Sequence, residues 1–390
     1  MKKNQINSRL FLLLFLSFLL SCNKTGEVSN QAGQNNQLTL NNKSKEIKSV
    51  VKDTTTVFAS GLAFPRGLKF GPDGYLYVAL AGSGGTETTT CTQVIPPVGP
   101  YKGGNTSMIV KISPGGVVSR VADKLPSSIN ALGFTTGAAD VEFVHGDLYA
   151  LLVGGCSHGN SDFPSAVLKV NKSTGTFSVV ADLSAFVMNN PVAAPEKDDF
   201  EPDGDPYSMI NVEGVLYVVE PNHGELLKVT LNGNVSRVLD FSAVYGHIVP
   251  TTVTHRGDNF YVGNLRTFPL VAGSSNIYKV SEHGDVSVYA TGFTGVLGVA
   301  FDKKHRLYVL ETSAGGGPKP MTGRVVRINN DNTRDVIVDK LFFPTAMTFG
   351  PDGALYISNT GFGPPTGSIL KVVIKDNVKE NENENEGNDN

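Results

Sequence analysis

"FGPDGYLYVAL" runs from Phe70 to Leu80, and a nearly identical phrase, "FGPDGALYISN", runs from Phe349 to Asn359. Each reads as a strand end, a tight Asp-Gly turn and a second, almost wholly apolar strand. The heart of the phrase returns four more times, as Leu148-Tyr149-Ala150, Leu216-Tyr217-Val218, Phe260-Tyr261-Val262 and Leu307-Tyr308-Val309. A turn precedes every copy. A third short strand follows each: "MIVKI" (108–112), "AVLKV" (166–170), "ELLKV" (225–229), "NIYKV" (276–280), "RVVRI" (324–328) and "SILKV" (368–372). Fourth-strand ends such as "VADKL" (121–125) and "YATGF" (289–293) recur as well, but the first of them, "FASGL" (58–62), precedes the first unit and none follows the last. The pattern predicts an all-β six-bladed β-propeller with four-stranded antiparallel blades, its ring closed by residues 54–62 as the outer strand of the blade begun at Phe343. Blades packed on both faces explain why the strands are continuously apolar and do not alternate.

Around this body the composition changes. Lys2, Lys3 and Arg9 precede the apolar run Leu10–Leu20, whose helix would rise about 16 Å, short of a ~30 Å hydrocarbon layer. "LLSC" (Leu19–Cys22) then resembles a bacterial lipobox, so Cys22 is the expected lipidation site. Acyl chains there would hold the protein on a membrane without spanning it. The expected organisation is a signal peptide at 1–22, a polar linker at 23–52, the propeller at 53–375 and a low-complexity tail at 376–390. It describes an exported bacterial lipoprotein of the outer membrane, monomeric. The chain has 390 residues and a formal net charge of −3, with no basic cluster, which argues against nucleic acid. No HExxH, CxxC pair or phosphate-binding P-loop is present to name a chemistry.

The six tyrosines of the repeat are separated by 72, 68, 44, 47 and 48 residues, so the first two intervals carry insertions. These fall at 81–107, 154–165 and 184–205, in connections that emerge on one rim, opposite the Asp-Gly turns. Loops on a rigid scaffold commonly carry function. Cys91 and Cys156 lie in two of them and are expected to form a disulfide. Rim side chains suited to a ligand are Arg66, Asp140, His158, Tyr207, Asn222, His223 and His247. The second strands of blades three to six end in Glu220, Asn264, Glu311 and Asn359, oxygen donors that suit Ca²⁺ or another divalent cation. The same residues also suit a purely structural role, capping the turn that follows each strand.

Four stretches carry a family likeness: "GLAFPRGLKFGPDGYLYVALAGSGG" (61–85), "VPTTVTHRGDNFYVGNLRTFPLVAGSSNIYKV" (249–280), "YATGFTGVLGVAFD" (289–302) and "FPTAMTFGPDGALYISNTGFGPPTGSILKV" (343–372). They resemble the ScyD/ScyE family of secreted propeller proteins, over residues 54 to 374. The resemblance implies the fold and export. The chain departs from it at Leu80 and Asn264, where members tend to carry glutamate. More distantly the repeat is similar to NHL repeats and to gluconolactonase-type propellers, which implies a divalent metal at the channel mouth. Two functions follow as expectations. One is a lipid-anchored binding or scaffold module that recognises a small molecule, glycan or peptide through its decorated rim. The other is a metal-dependent hydrolase or lactonase.

Overall fold

The repeated phrase is explained by what its tyrosine and aspartate do. In the computed structural model, which describes residues 47–50, 54–89, 91, 93–195 and 201–375, the Tyr77 hydroxyl donates to Asp73 in its own turn at 2.8 Å. Tyr356 repeats this with Asp352 at 3.1 Å, and Tyr308 with Asp302 at 3.3 Å. Each turn is thus pinned to the strand that leaves it. The same rings also form the seams between blades. Tyr77 packs edge-on against Phe143 of the next blade, Tyr261 against Phe301, Tyr308 against Phe349, and Tyr356 against Phe70, with centroids 4.9–5.0 Å apart. Such pairs contribute about 0.5–1.5 kcal/mol beyond the area they bury. The last pair joins the two ends of the chain.

Six sheets surround the axis. Counted from the inner strand, blade one is Pro65–Phe70, Leu76–Leu80, Lys102–Ile112 and Val118–Ile129. Blade two is Ala138–Val144, Asp147–Leu152, Ala166–Val170 and Phe177–Asp182; blade three is Ser208–Val212, Val215–Glu220, Glu225–Val229 and Val235–Asp240. Blade four is Pro250–Arg256, Asn259–Asn264, Ser275–Ser281 and Val286–Phe293; blade five is Val296–Phe301, Leu307–Glu311, Gly323–Ile328 and Arg334–Leu341. Blade six takes Ala346–Phe349, Leu355–Asn359 and Gly367–Val373 from the end of the chain and Thr54–Leu62 from its beginning. That closing pair is antiparallel, from Thr54 opposite Val373 to Leu62 opposite Gly367. Second strands are buried along nearly their whole length, as blades packed on both sides require.

The ordered domain starts earlier than the sequence suggests. Ile47–Val50, expected in the linker, form a fifth strand on blade five, parallel to its outer strand (Ile47 opposite Arg334, Val50 opposite Val336). The insertion after blade two contains a short helix, Leu183–Asn189, whose first turn is capped by the Asp182 carboxylate accepting from the Ala185 N–H at 2.8 Å. Cys22, the signal peptide, most of the linker and the tail at 376–390 lie outside the described residues. Among the described residues no helix is long and apolar enough to cross a membrane.

Candidate functional site

Inner strands begin at the insertion rim, so the residues just inside their first turn surround the upper mouth of the central channel. Blade one supplies Arg66, blade two Asp140, and the approach to blade three supplies Asp205 and Tyr207. Gly67 makes the first two neighbours. A Cβ at that position would sit 1.9 Å from Asp140 Oδ1, so only glycine lets the carboxyl approach the chain so closely. Tyr207 lies across the opening. Its hydroxyl donates to the carbonyl of Thr345 at the entrance of blade six, the blade opposite its own, at 3.2 Å. Below it the channel encloses about 120 Å³, lined by Asp140, Thr252, Thr254 and the Lys69–Glu142 ion pair at 2.7 Å. Ligand pockets enclose roughly 300–1,000 Å³, so this space suits a few waters.

Arg66 is buried beneath the Phe362 ring, 4.4 Å from guanidinium to centroid. It donates to the carbonyl oxygens of Thr135 (2.7 Å) and Gly361. Burial lowers its pKa, opposed by the neighbouring Tyr207 and Asp205. Asp140 accepts the N–H groups of Met209 and Val141, both at 2.8 Å. Burial nevertheless lifts its carboxyl to about 7.

The insertions add a second layer. The Cys91–Cys156 disulfide forms as the sequence predicts, and Thr89 and Gln93 both donate to the Cys156 carbonyl. Immediately before Cys156 the backbone turns through Gly155, at φ +100°, where a Cβ would strike the Asp203 carboxyl at 2.4 Å. The Ser157 N–H donates to that carboxylate. His158 is then fully enclosed (0% exposed). Its ring packs against Tyr101 at 4.8 Å, and its Nε2 forms an ion pair with Glu201 at 3.5 Å. Glu201 also accepts from the Tyr101 hydroxyl at 2.7 Å. Burial alone would lower the His158 pKa, but Glu201, helped by Asp205 and Asp203, outweighs it and lifts the imidazole to about 9.

Glu220 accepts the N–H groups of Asp205 (2.8 Å), Asn222 (3.1 Å) and His223 (2.7 Å), and pairs with His223 Nδ1 at 2.8 Å. Burial would raise its pKa, yet His223 and these N–H groups hold it below the ordinary value. The Asp205 carboxylate is left over. It is half-buried and receives a hydrogen bond from no described residue. Burial first, then the charges of Glu201 and Glu220, push it up to about 8.

The structure thus gathers four of the anticipated rim residues, Arg66, Asp140, His158 and Tyr207, at or beside the mouth. Asn222 and His223 adjoin them through Glu220, with the Asn222 amide nitrogen buried and without a partner among the described residues. His247 is half-buried in the connection leading into blade four. The proposed metal donors are not gathered in this way. Asn264 is bonded to the Ile248 carbonyl and the Asn276 N–H (2.8 and 2.7 Å), and Asn359 accepts from the Phe342 N–H at 2.9 Å. Glu311 accepts from Thr294 N–H at 2.7 Å and pairs with Arg324. Each caps its own blade, and among the described residues no group of three or more His, Cys, Asp or Glu is placed to hold a metal ion. The divalent metal implied by the gluconolactonase-type likeness does not fit this mouth, where the cationic Arg66 stands.

Sequence reasoning missed Tyr101 and Glu201, which sit in insertions without periodicity. It also passed over Gly155–Gly159, which reads Gly-Cys-Ser-His-Gly, the G-x-S-x-G spacing of a nucleophile elbow. That motif needs a strand–turn–helix context and an exposed serine. Here Ser157 is 2% exposed in a rim turn, so the stretch is structural.

No protein-family model and no curated protein matches this chain. Solved structures do. A gluconolactonase from Xanthomonas campestris is 10% identical with a TM-score of 0.53, covering 82% of this chain and 90% of that one. A structural-genomics protein from Bacteroides thetaiotaomicron is 12% identical with a TM-score of 0.53, covering 82% and 76%. An oxidoreductase described as a glucose dehydrogenase, from Thermus thermophilus, is 14% identical with a TM-score of 0.51, covering 82% and 100%. At these identities the likeness is one of fold.

Proposed function

We propose that this chain is an exported, lipid-anchored binding module of the cell envelope that holds a small polar ligand over the channel mouth on its insertion rim. One observation carries the reading. Buried or half-buried polar groups from separate elements (Arg66, Asp140, Asp205 and Tyr207) converge on one opening, with pKa values displaced by burial and by each other. Such clusters mark functional sites because unrelieved desolvation is costly unless a ligand offsets it.

Two measurements test the reading. Labelling with a radioactive fatty acid in cells should mark the protein and be lost in Cys22→Ser. Melting the protein with a panel of monosaccharides, sugar acids and free amino acids should find a compound that raises Tm, with the rise lost in Asp205→Asn. If no compound of the panel shifts Tm, the binding reading fails. The alternative, a lactone hydrolase of the gluconolactonase-like type, is favoured by a carboxyl that keeps its proton near neutral pH close to a cationic imidazole, a pairing suited to acid–base chemistry. Lactone hydrolysis above background that disappears in Asp205→Asn would favour it over simple binding.

A further inference from the structure

Away from the mouth, the insertion rim carries an apolar prominence on blades four and five. The connection 265–274 of blade four turns Phe268 and Val271 outward, 58% and 64% exposed, on either side of a buried Leu270. The connection 312–322 of blade five adds Met321, 54% exposed. The two connections are joined: the Gly317 N–H donates to the Leu270 carbonyl at 2.8 Å, and Gly316, at φ +72°, faces the same oxygen. The blade-four loop is also braced from within. The Gly273 N–H donates to the Thr294 hydroxyl at 2.8 Å, the Ser274 hydroxyl to the Val271 carbonyl at 2.8 Å, and Arg266 Nε to the Ser274 carbonyl at 3.2 Å. Polar groups are thus spent inside the loop while its largest apolar side chains face solvent. A single exposed phenylalanine would be ordinary; three large apolar side chains on two bonded loop tips form a patch.

Charge selects what covers it. On this rim the connections of blades four to six (265–274, 294–295, 312–322, 342–345 and 360–366) contain no Asp or Glu, and their two charged residues, Arg266 and Lys319, are both cationic. The turns of the same blades on the opposite rim (257–258, 282–285, 302–306, 329–333 and 350–354) contain six acidic residues. Apolar tips flanked by cations and free of acids suit the boundary between acyl chains and anionic headgroups, where Lys and Arg lay their stems on apolar surface and their charges on phosphate. We propose that Phe268, Val271 and Met321 dip into the lipid surface to which an acylated Cys22 would tie the chain. The inference rests on the anchored reading above and adds which edge of the ring meets the lipid. The 24 residues from Asn23 to Glu46 could span ~80 Å at full extension, against ~25 Å for the strands of a blade. A tether of that reach lets either rim meet the bilayer, so the chemistry of the rims decides between them. The contact is one-sided. It leaves the insertions of blades one to three, and the channel mouth beside them, open next to the headgroups.

The chain contains no tryptophan, so a single introduced indole reports its own surroundings. Two variants of the full chain are compared: Phe268→Trp, and His283→Trp in the exposed opposite-rim turn of the same blade. Each is purified from membranes and reconstituted into vesicles of phosphatidylethanolamine and phosphatidylglycerol, with and without acyl chains brominated near the headgroup. Phe268→Trp should shift its emission to the blue and lose about half of it or more to bromine, because an interfacial side chain lies roughly 5–10 Å into the boundary. His283→Trp should show neither effect. If the protein floats with the vesicles and neither indole is quenched, this inference is overturned while the anchor stands. Quenching at His283→Trp alone overturns it too, since the opposite rim then faces the lipid. If the protein does not float, the anchor and this inference both fail. Sedimentation of Cys22→Ser without lipid should show a monomer; a dimer abolished by Phe268→Ser would give the patch to a second copy of the chain and overturn the lipid assignment.

Discussion

Raising the pH should destabilise this protein well before lysines or tyrosines titrate. His158 holds its proton up to about pH 9 when folded, against an ordinary value of 6.5. A group whose pKa is raised by folding contributes fully below its unfolded value, and that contribution disappears as pH climbs through the folded one. The window is therefore pH 6.5 to 9, and at ~1.4 kcal/mol per unit it amounts to about 3 kcal/mol. Asp205, at about 8 when folded, acts in the same direction. Folding favours its protonated form, so ionising it between pH 6.5 and 8 removes a further ~2 kcal/mol at most. The two are not additive, because an ionised Asp205 helps His158 keep its proton. Glu220, whose pKa is lowered, exerts its effect only in acid and leaves this window untouched. A loss of about 3–4 kcal/mol corresponds to a fall in Tm of roughly 4–6 °C for a domain of about 320 residues, at ~2.1 cal/mol/K of unfolding entropy per residue. Differential scanning calorimetry at half-unit steps from pH 6 to 9.5 measures it. His158→Gln should start lower at pH 6.5 and fall less steeply. A Tm that stays level or climbs across the window, or a variant with the parental slope, would refute the account of the buried imidazole.

Other perturbations separate structural from functional roles. Reducing Cys91–Cys156, or replacing both with serine, should cost about 4 kcal/mol, the loop-closure term for a sequence separation of 65 residues; an unchanged denaturation midpoint with and without reductant would contradict this. Gly67→Ala should cost about 1–3 kcal/mol because its methyl would overlap Asp140, whereas Gly115→Ala, whose nearest neighbour is 3.8 Å away, should be neutral or slightly stabilising by urea denaturation. Glu311→Ala leaves the Thr294 N–H and Arg324 without their partner and should cost about 3 kcal/mol. Millimolar Ca²⁺ should leave the parental Tm unmoved, and a rise that vanished in Glu311→Gln would restore the metal reading.

What could be read from the sequence and what could not divide along a physical line. The ring was legible because its contacts recur: in blades one, five and six the tyrosine hydroxyl finds an acceptor in its own turn, and in all blades but the second its ring meets an aromatic of the next blade. Those contacts write Asp73-Tyr77 and Asp352-Tyr356 at the same spacing, and they place Phe70 against Tyr356 across the whole chain. Arg66 and Asp140 were legible for a related reason, since they stand at the start of predictable inner strands. Glu201 and Tyr101 were not. Their partnership spans 100 residues and two insertions that obey no period. The strand-ending Glu311 and Asn359 misled in the opposite direction, because a position equivalent in every blade invites a shared ligand while each side chain is consumed locally.

The placement of the disulfide follows from the same energetics. A histidinium, an arginine and several carboxylates held out of water weaken the rim that carries them, since each must find its partners inside a low-dielectric pocket. The loops that enclose them contain little apolar surface: Tyr101 and Val94 are the principal buried apolar side chains of the first insertion. Hydrophobic packing therefore cannot hold that rim alone. A covalent link between the two loops does so by removing unfolded conformations and leaving the polar groups untouched. It also sets their spacing, because the Cys156 carbonyl anchored by Thr89 and Gln93 lies one residue before the Ser157 N–H that grips Asp203. On this argument the cross-link matters more to Tyr101, His158 and Asp205 than to the blades. Reduction should therefore raise hydrogen exchange at residues 154–160 and weaken ligand binding under conditions where the strands of blades four to six keep their protection. Uniform loss of protection across all six blades would show instead that the bond supports the ring as a whole.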